Sequence, residues 1–318
     1  MPDQSVRFNK TRIAPTPSGF LHLGNILSFA LTVALAKQHG AKILLRIDDI
    51  DQARADEKYI QDIFDTLNFL EIPWDEGPRN VEEFKNTYSQ IHRLELYAEA
   101  NKQLRNNGFL FACTCSRKQL EKETCTCFNR KIPLDTKDAA WRLHTHNNRE
   151  LTIGDYNGQT VAINLPMDMQ NFVVRKKDGF PAYQLTSVID DLFYGIDLIV
   201  RGQDLWSSTL AQHELALALG KNEFRDITFY HHPLLTDEQN QKLSKSAGAT
   251  SVLYLRQNGK TQAQIYTMIA GMLGLNIAIS SWEQLADAVL SFYKNNPAPT
   301  MAEQGLTFKF SWCLYGVH

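Results

Sequence analysis

Apolar positions in the first fifty residues fall into two blocks separated by a glycine. An unbroken apolar segment runs from Ile26 to Ala36 and stops at Gly40, and Lys42-Ile-Leu-Leu-Arg-Ile47 follows as a buried strand. A short extended run, Lys10 to Ala14, precedes them. It ends at Pro15 and Pro17, which fit neither a helix interior nor a central strand, and Ser18-Gly19 allows a tight turn. The order strand, glycine-containing loop, helix, strand predicts the opening of a parallel α/β sheet that binds a nucleotide. The helix start after Gly24 presents backbone N–H groups and a positive dipole end, which suit phosphate, and His22 stands beside it as a donor.

Farther along, Ile60, Ile63, Phe64 and Leu67 form the stripe of a helix from Asp56 to Phe69. Ile91, Leu94, Leu96, Tyr97 and Leu104 predict another from about Glu82 to Asn106. Of the acids at the end of the Lys42–Ile47 strand, Asp51 or Asp56 is expected to cap the next helix, and Asp48 is kept for a ligand. Residues 108–182 change character, with short strands and turns at Asn157-Gly158 and Asp178-Gly179. They predict an inserted α+β module between two halves of the sheet domain, 1–107 and 183–240. The sheet is expected to resume over Tyr183–Asp191 and again at Ile196–Val200. Ser208 or Thr209 should cap a helix from Leu210 to Leu219, and Thr228–His231 reads as a further strand. Residues 241–318 hold a lysine loop and a helical region, with Ile265, Met268, Ile269 and Met272 on one face and Trp282, Leu285, Ala286 and Val289 on another.

The 318 residues are 43% hydrophobic and 21% charged, with a formal net charge of −2, so no global basic field points to nucleic acid and only a local basic face is open. No apolar run reaches the roughly 20 residues that span a bilayer, and the polar start lacks a signal-peptide core. A cytoplasmic protein with reduced thiols is expected, without membrane partners and acting as a monomer. Four of the five cysteines, Cys113, Cys115, Cys125 and Cys127, cluster in two C-x-C pairs. In a reducing compartment that points to a closed, structural zinc site. The alternatives are a site using three of them with another donor, or incidental thiols.

His22-Leu-Gly24-Asn25 gains weight from Lys242-Leu-Ser-Lys245-Ser246 far downstream. Together the two stretches resemble the paired signatures of class I aminoacyl-tRNA synthetases, and within that class the chain resembles the glutamyl branch. The Arg12-Ile-Ala-Pro-x-Pro-x-Gly19 frame, the run Arg46 to Asp51, Ala182-Tyr-Gln-Leu185 with Val188 to Asp191, and Arg201-Gly-x-Asp-Leu with Ser208-Thr209 carry the likeness. It implies a Rossmann-like catalytic sheet, ATP with Mg2+, and glutamate activated as its adenylate. His22, Gly24, Asn25, Lys242 and Lys245 would hold ATP, with His22 and Lys245 acting at the phosphates. Arg12, Thr16, Asp48, Tyr183 and Arg201 would hold glutamate. Asp48 stands where glutamate is usual and Thr16 where serine is usual, which bears on the amino-acid pose. The stretch after Ser246 leaves no room for an anticodon-binding region. With the cysteine module, that resembles the glutamyl-Q tRNA(Asp) synthetases, which implies transfer to queuosine in the anticodon loop of tRNA(Asp). The rivals are a minimal glutamyl-tRNA synthetase charging a tRNA 3′ end and a non-catalytic RNA- or amino-acid-binding paralogue.

Overall fold

The computed structural model describes residues 7–145, 149–235 and 251–295. β1 (Lys10–Ile13) runs through a loop into α1 (Leu23–His39), which returns to β2 (Lys42–Leu45). α1 is apolar on all sides and correspondingly buried, with Leu23, Ile26, Leu27, Leu31 and Leu35 fully enclosed. It ends where Gly40 takes a left-handed φ of 70°, a conformation that costs glycine little. α2 (Glu57–Phe69) starts on Asp56, whose Oδ1 accepts from the Lys58 N–H at 3.0 Å, as expected of that residue.

The expected helix from Glu82 to Asn106 is broken. It consists of α3 (Val81–Glu83), a π turn at Phe84–Tyr88, a 3-10 turn at Gln90–Arg93 and α4 (Leu94–Asn106). The break sits at Ser89, in an extended conformation with ψ 142°. Ser89 Oγ and the Gln90 N–H donate to Asp49 at 2.5 and 2.8 Å, and the Ile50 N–H donates to Gln90 Oε1 at 2.7 Å. This polar lock to the distant loop after β2 outweighs local helix propensity. Tyr97 and Leu104 are buried as the stripe requires, but Ile91, Leu94 and Leu96 stay exposed.

β3 (Leu110–Cys113), α5 (Arg117–Leu120) and β4 (Ala140–Leu143) come next, followed by a hairpin of β5 (Glu150–Gly154) and β6 (Thr160–Asn164), then β7 (Val173–Arg175). β3, β4 and β7 form an antiparallel sheet in the order β3-β4-β7. The expected strand over Tyr183–Asp191 is instead α6 (Tyr183–Phe193). Leu185, Val188, Ile189 and Leu192 fall at helical spacing, but Thr186, Ser187, Asp190 and Asp191 are buried beside them and interrupt the apolar pattern. β8 (Leu198–Gly202), α7 (Trp206–Ala218) and β9 (Thr228–His232) complete the sheet domain, and α8 (Val252–Gln257), α9 (Gln262–Met272) and α10 (Trp282–Asn295) pack against α1 and α2. Tyr266 of α9 is fully buried and donates to the Leu70 carbonyl at 2.6 Å. Ile265 and Ile269 of α9, and Trp282, Leu285, Ala286 and Val289 of α10, enter the same core as α1.

The central sheet has the order β2-β1-β8-β9, with every pairing parallel. The chain moves from β1 outward to β2, and later returns to the other side of β1 with β8. That reversal leaves a crevice at the carboxyl ends of β1 and β8, where ligands bind in sheets of this kind. No helix among the described residues is long and apolar enough to cross a membrane.

Candidate active site

α1 opens into this crevice. His22 is its N-cap, with extended backbone (φ −115°, ψ 169°). Its Nδ1 accepts from the Gly24 N–H at 3.1 Å, and Asn25 Oδ1 accepts from the His22 N–H at 3.0 Å, a reciprocal capping pair. With Nδ1 acting as acceptor, the proton of the neutral ring sits on Nε2, making that nitrogen the donor. A Cβ on residue 24 would lie 3.1 Å from both Nδ1 and Cε1 of the imidazole, so Gly24 is the seat of the ring. Ser251 forms an antiparallel bridge with His22, and the Val252 N–H donates to the Leu21 carbonyl at 2.8 Å. At the other flank of residues 236–250, Ser28 of α1 lies 2.5 Å from Nε2 of His232, and Leu235 is buried in the α1 core. Lys242 and Lys245 lie outside the described residues.

At the floor of the crevice, three arginines, Arg12, Arg46 and Arg93, meet the two adjacent carboxylates of α6, and a fourth, Arg201, lies beside them. Arg12 of β1 donates through Nε to Asp191 Oδ1 at 3.1 Å, and Arg46 donates to the same oxygen at 2.7 Å. Arg46 also grips both oxygens of Asp48, at 2.7 and 3.0 Å. Burial raises the Asp48 pKa in spite of that partner. Asp190 accepts from Arg93 Nε at 2.8 Å, Tyr97 at 2.6 Å and Gln90 at 2.9 Å. Its pKa is opposed by burial yet held below the ordinary carboxylate range, by the Arg93 hydrogen bonds first and then the charges of Arg46 and Arg93. A depressed folded pKa means stabilisation that is complete above the unfolded carboxyl pKa of about 4 and is lost as pH falls through the folded value. Asp190→Ala strands a buried guanidinium and should cost about 3–5 kcal/mol in urea unfolding at pH 7. The deficit should shrink toward acid pH; a constant deficit would show that packing, not charge, is lost.

The fourth arginine, Arg201 at the end of β8, is 4% exposed and has no carboxylate partner among the described residues. Nη2 donates to Thr209 Oγ1 at 2.5 Å and to Gln212 Oε1 at 3.0 Å, and the guanidinium lies 4.9 Å from the Phe229 ring centre. His231 Nε2 sits 2.7 Å from the same Thr209 hydroxyl. Arg201 Nε and Nη1 are buried without any hydrogen-bond partner. Burial pushes the Arg201 pKa down to about 10, with Tyr183 opposing the shift and the charge of Arg12 adding to it. His231 is driven well below its ordinary value by burial and then by the charge of Arg201, so it is neutral. Ser208 and Thr209 do not cap a helix at Leu210, because α7 already begins at Trp206. Ser208 accepts from Gln184 at 3.1 Å, and Thr209 holds Arg201. Tyr183, the first residue of α6, is half-buried. Thr16 is exposed, and its carbonyl accepts from the Ser18 N–H at 2.9 Å.

The structure thus brings His22, Gly24 and Asn25 together at one helix start, and Arg12, Asp48 and Arg201 to the neighbouring strand ends, with Tyr183 at the start of α6 near enough to Arg201 to act on its charge. Sequence reasoning assigned no role of their own to Arg46, Asp190, Gln212 or His231, and gave Thr209 only a helix cap. The adjacent acids Asp190-Asp191 inside a largely uncharged run were the one available signal.

Away from the crevice, the sulfurs of Cys113, Cys115, Cys125 and Cys127 lie within 4.8 Å of one another, with Cys115–Cys127 at 3.5 Å, Cys113–Cys125 at 3.6 Å and Cys115–Cys125 at 3.9 Å. Tetrahedral thiolates at the usual zinc–sulfur length of about 2.3 Å would sit roughly 3.8 Å apart. The four donors therefore fit one zinc-sized ion, and none is in a disulfide.

The family model "tRNA synthetases class I (E and Q), catalytic domain" matches residues 9–171 and 134–281. The chain belongs to that family. Within this synthetase family, it is 36% identical over 265 residues to a glutamyl-Q tRNA(Asp) synthetase of Synechococcus sp. (strain CC9605), covering 83% of each chain. It is 30% identical over 291 residues to glutamate–tRNA ligase 2 of Syntrophus aciditrophicus (strain SB), covering 84% of this chain and 58% of that one. The chain therefore spans less than two thirds of that ligase's length. The fold is shared with a glutamate–tRNA synthetase from Elizabethkingia anophelis (TM-score 0.67, 21% identity, covering 88% of this chain and 65% of that chain).

Proposed function

We propose that this synthetase-family protein activates glutamate with ATP and transfers it to queuosine in the anticodon loop of tRNA(Asp). The observation that carries the amino-acid half is Arg201, a buried guanidinium with two unpartnered donors beside a second arginine, Arg12. Such a group calls for a carboxylate, and planar guanidinium forks read carboxylates in two-point fashion. Arg12 and Arg201 would bind the glutamate carboxylates, Tyr183 would line the pocket and Thr16 its mouth. Asp48 would meet the ammonium group with lone pairs that Arg46 does not use.

In adenylate formation the α-carboxylate attacks the α-phosphorus and pyrophosphate leaves. His22 Nε2 and the backbone N–H groups at the start of α1 would hold the phosphates, with Gly24 and Asn25 shaping that turn. Lys242 and Lys245 would neutralise pyrophosphate. Mg2+ would be held mainly by phosphates and water, and zinc by the four cysteine thiolates. The higher identity to the glutamyl-Q relative and the cysteine module favour queuosine over a tRNA 3′ end.

The test supplies labelled glutamate and ATP with tRNA(Asp) containing or lacking queuosine, and with tRNA(Glu). Label retained only on queuosine-bearing tRNA(Asp) is expected; label on tRNA(Glu) would select the 3′-end reading. Absent ATP–pyrophosphate exchange, with glutamate and with other amino acids alike, would leave a binding paralogue. His22→Asn separates two roles, because asparagine also caps helices well. Its melting temperature should stay near wild type while exchange falls about 10²–10³-fold, the cost of losing one preorganised donor. Near-normal exchange would remove His22 from the chemistry.

A further inference from the structure

A cavity of about 480 Å³ opens between α4 and the antiparallel sheet, outside the crevice just described. Its walls are Tyr97 and Ala98 of α4, Trp141 of β4, and Phe180 and Pro181 of the turn before α6. Its cations are Lys102, Arg105 and Arg175, against one acid, Asp178. Lys102 has a weak exposed partner in Glu99 at 3.3 Å, Arg105 is paired with Asp135, and Asp178 lies 3.2 Å from Lys176. Arg175 makes no ion pair among the described residues. It faces Trp141 across the β4–β7 pairing, its guanidinium 4.7 Å from the indole centre, with Arg105 at 5.7 Å from the same ring. A guanidinium stacked on an indole keeps its N–H edge available for an anion.

The volume lies in the usual range for small-ligand sites, about 300–1,000 Å³, and suits one nucleotide. Aromatic faces for a base and arginine edges for a phosphate are the features that single-stranded RNA sites combine. One layer separates the cavity from the crevice: Tyr97 lines the cavity and donates to Asp190, whose neighbour Asp191 accepts from Arg12. Lys176, in the turn that forms the cavity's rim, reaches Asp51 at 3.5 Å, just beyond Asp48.

We propose that this cavity binds a nucleotide of the RNA substrate that flanks the one receiving glutamate, with its base against Trp141 and Phe180 and its phosphate on Arg175 and Lys102. The inference rests on the RNA substrate proposed above, and deepens it by placing a contact.

The test measures binding of a labelled tRNA(Asp) anticodon stem-loop to the full chain by anisotropy, without ATP or glutamate. Trp141→Ala and Arg175→Gln should each weaken binding about tenfold, the scale of one base stack, while Trp141→Phe retains most of the affinity. Arg175→Gln should also flatten the dependence of log affinity on log salt by about 0.7, the signature of one lost contact to a single-stranded phosphate. Glutamate-dependent exchange should stay within twofold in all three variants. Unchanged RNA affinity in both Trp141→Ala and Arg175→Gln would overturn the proposal, as would losses that track a lowered melting temperature and fail to follow salt. If an acidic peptide binds in an Arg175-dependent way where the stem-loop does not, the cavity serves a protein and the proposal falls. Failure of the proposed activity is separate: it shows as absent exchange or transfer, whatever the stem-loop affinities are.

Discussion

Arg201→Met is expected to raise the KM for glutamate about 10²–10³-fold, leave the KM for ATP within a few-fold, and give an unliganded protein at least as stable as wild type. The first part follows from removing one member of a buried, hydrogen-bonded charge pair, which costs about 2–5 kcal/mol. The second follows because the ATP phosphates are proposed to meet the start of α1, on the His22 side of the crevice. The third follows from the group's isolation. A guanidinium whose pKa is pushed down to about 10 from an ordinary value near 12.5 disfavours its charged form in the folded state by an amount on the order of 3 kcal/mol. A base with a lowered folded pKa destabilises the native state at every pH below that value, so the penalty is fully present at pH 7. Methionine removes it, at the cost of the Thr209 and Gln212 hydrogen bonds and the contact with Phe229. Glutamate should raise the melting temperature of the wild type and leave that of Arg201→Met unmoved. A variant that melts well below wild type, or that still responds to glutamate, would show that Arg201 is a structural cation with no substrate to bind.

The arrangement around Arg201 also shows where sequence reading stopped. Arg12 and Arg201 were named through the family resemblance of the stretches around them, whereas His22 and Gly24 sit in a short contiguous stretch that explains them, a proline-bounded loop and a helix start. Asp56 is legible for the same reason, since a cap acts on the next two residues. Thr209, Gln212 and His231 act through a partner on another element, and nothing in their own neighbourhoods marks them. The same limit produced the two errors of secondary structure. α6 carries Leu185, Val188, Ile189 and Leu192 at helical spacing, but its period is interrupted by Asp190 and Asp191, in buried positions that distant arginines make tolerable. The helix expected from Glu82 breaks at Ser89 because Asp49, forty residues upstream, draws that serine and the Gln90 N–H out of register. Apolar periodicity reads elements held by burial. Where buried ion pairs and backbone-to-carboxylate bonds hold the chain, the information lies in pairs of positions too far apart for any window. The helices of the 251–295 region are the converse case: Ile265, Ile269, Trp282, Leu285 and Val289 are held mainly by burial, and their faces were readable from spacing.

Removing the zinc proposed for the four cysteines should have the largest structural effect of all and should be confined to one region. Between β3 and β4 the chain has one short helix and turns. Its only buried cluster is Phe111, Cys113 and Cys127, with Cys115, Cys125 and Ile132 packed beside it. So small a core does not hold a segment of this length, and domains of that kind rely on metal or disulfide staples. The thiols are not bonded to one another, and their spacing fits a tetrahedral ion. A structural zinc contributes about 10–16 kcal/mol of apparent binding energy to small domains. The protein should therefore carry one zinc per chain, and Cys113→Ser with Cys127→Ser should remove it. Hydrogen exchange should then accelerate across residues 114–139 while the α1 amides remain protected, because α1 packs in a separate core with the parallel sheet. Lowering the pH should release the metal from the wild type, since protons compete for the thiolates. Purified protein that lacks zinc, alkylates all four thiols freely and still shows slow exchange in this segment would refute the staple. The segment would then have to be held by contacts with the rest of the fold, such as the bond from Lys177 to the Thr114 carbonyl at 2.9 Å.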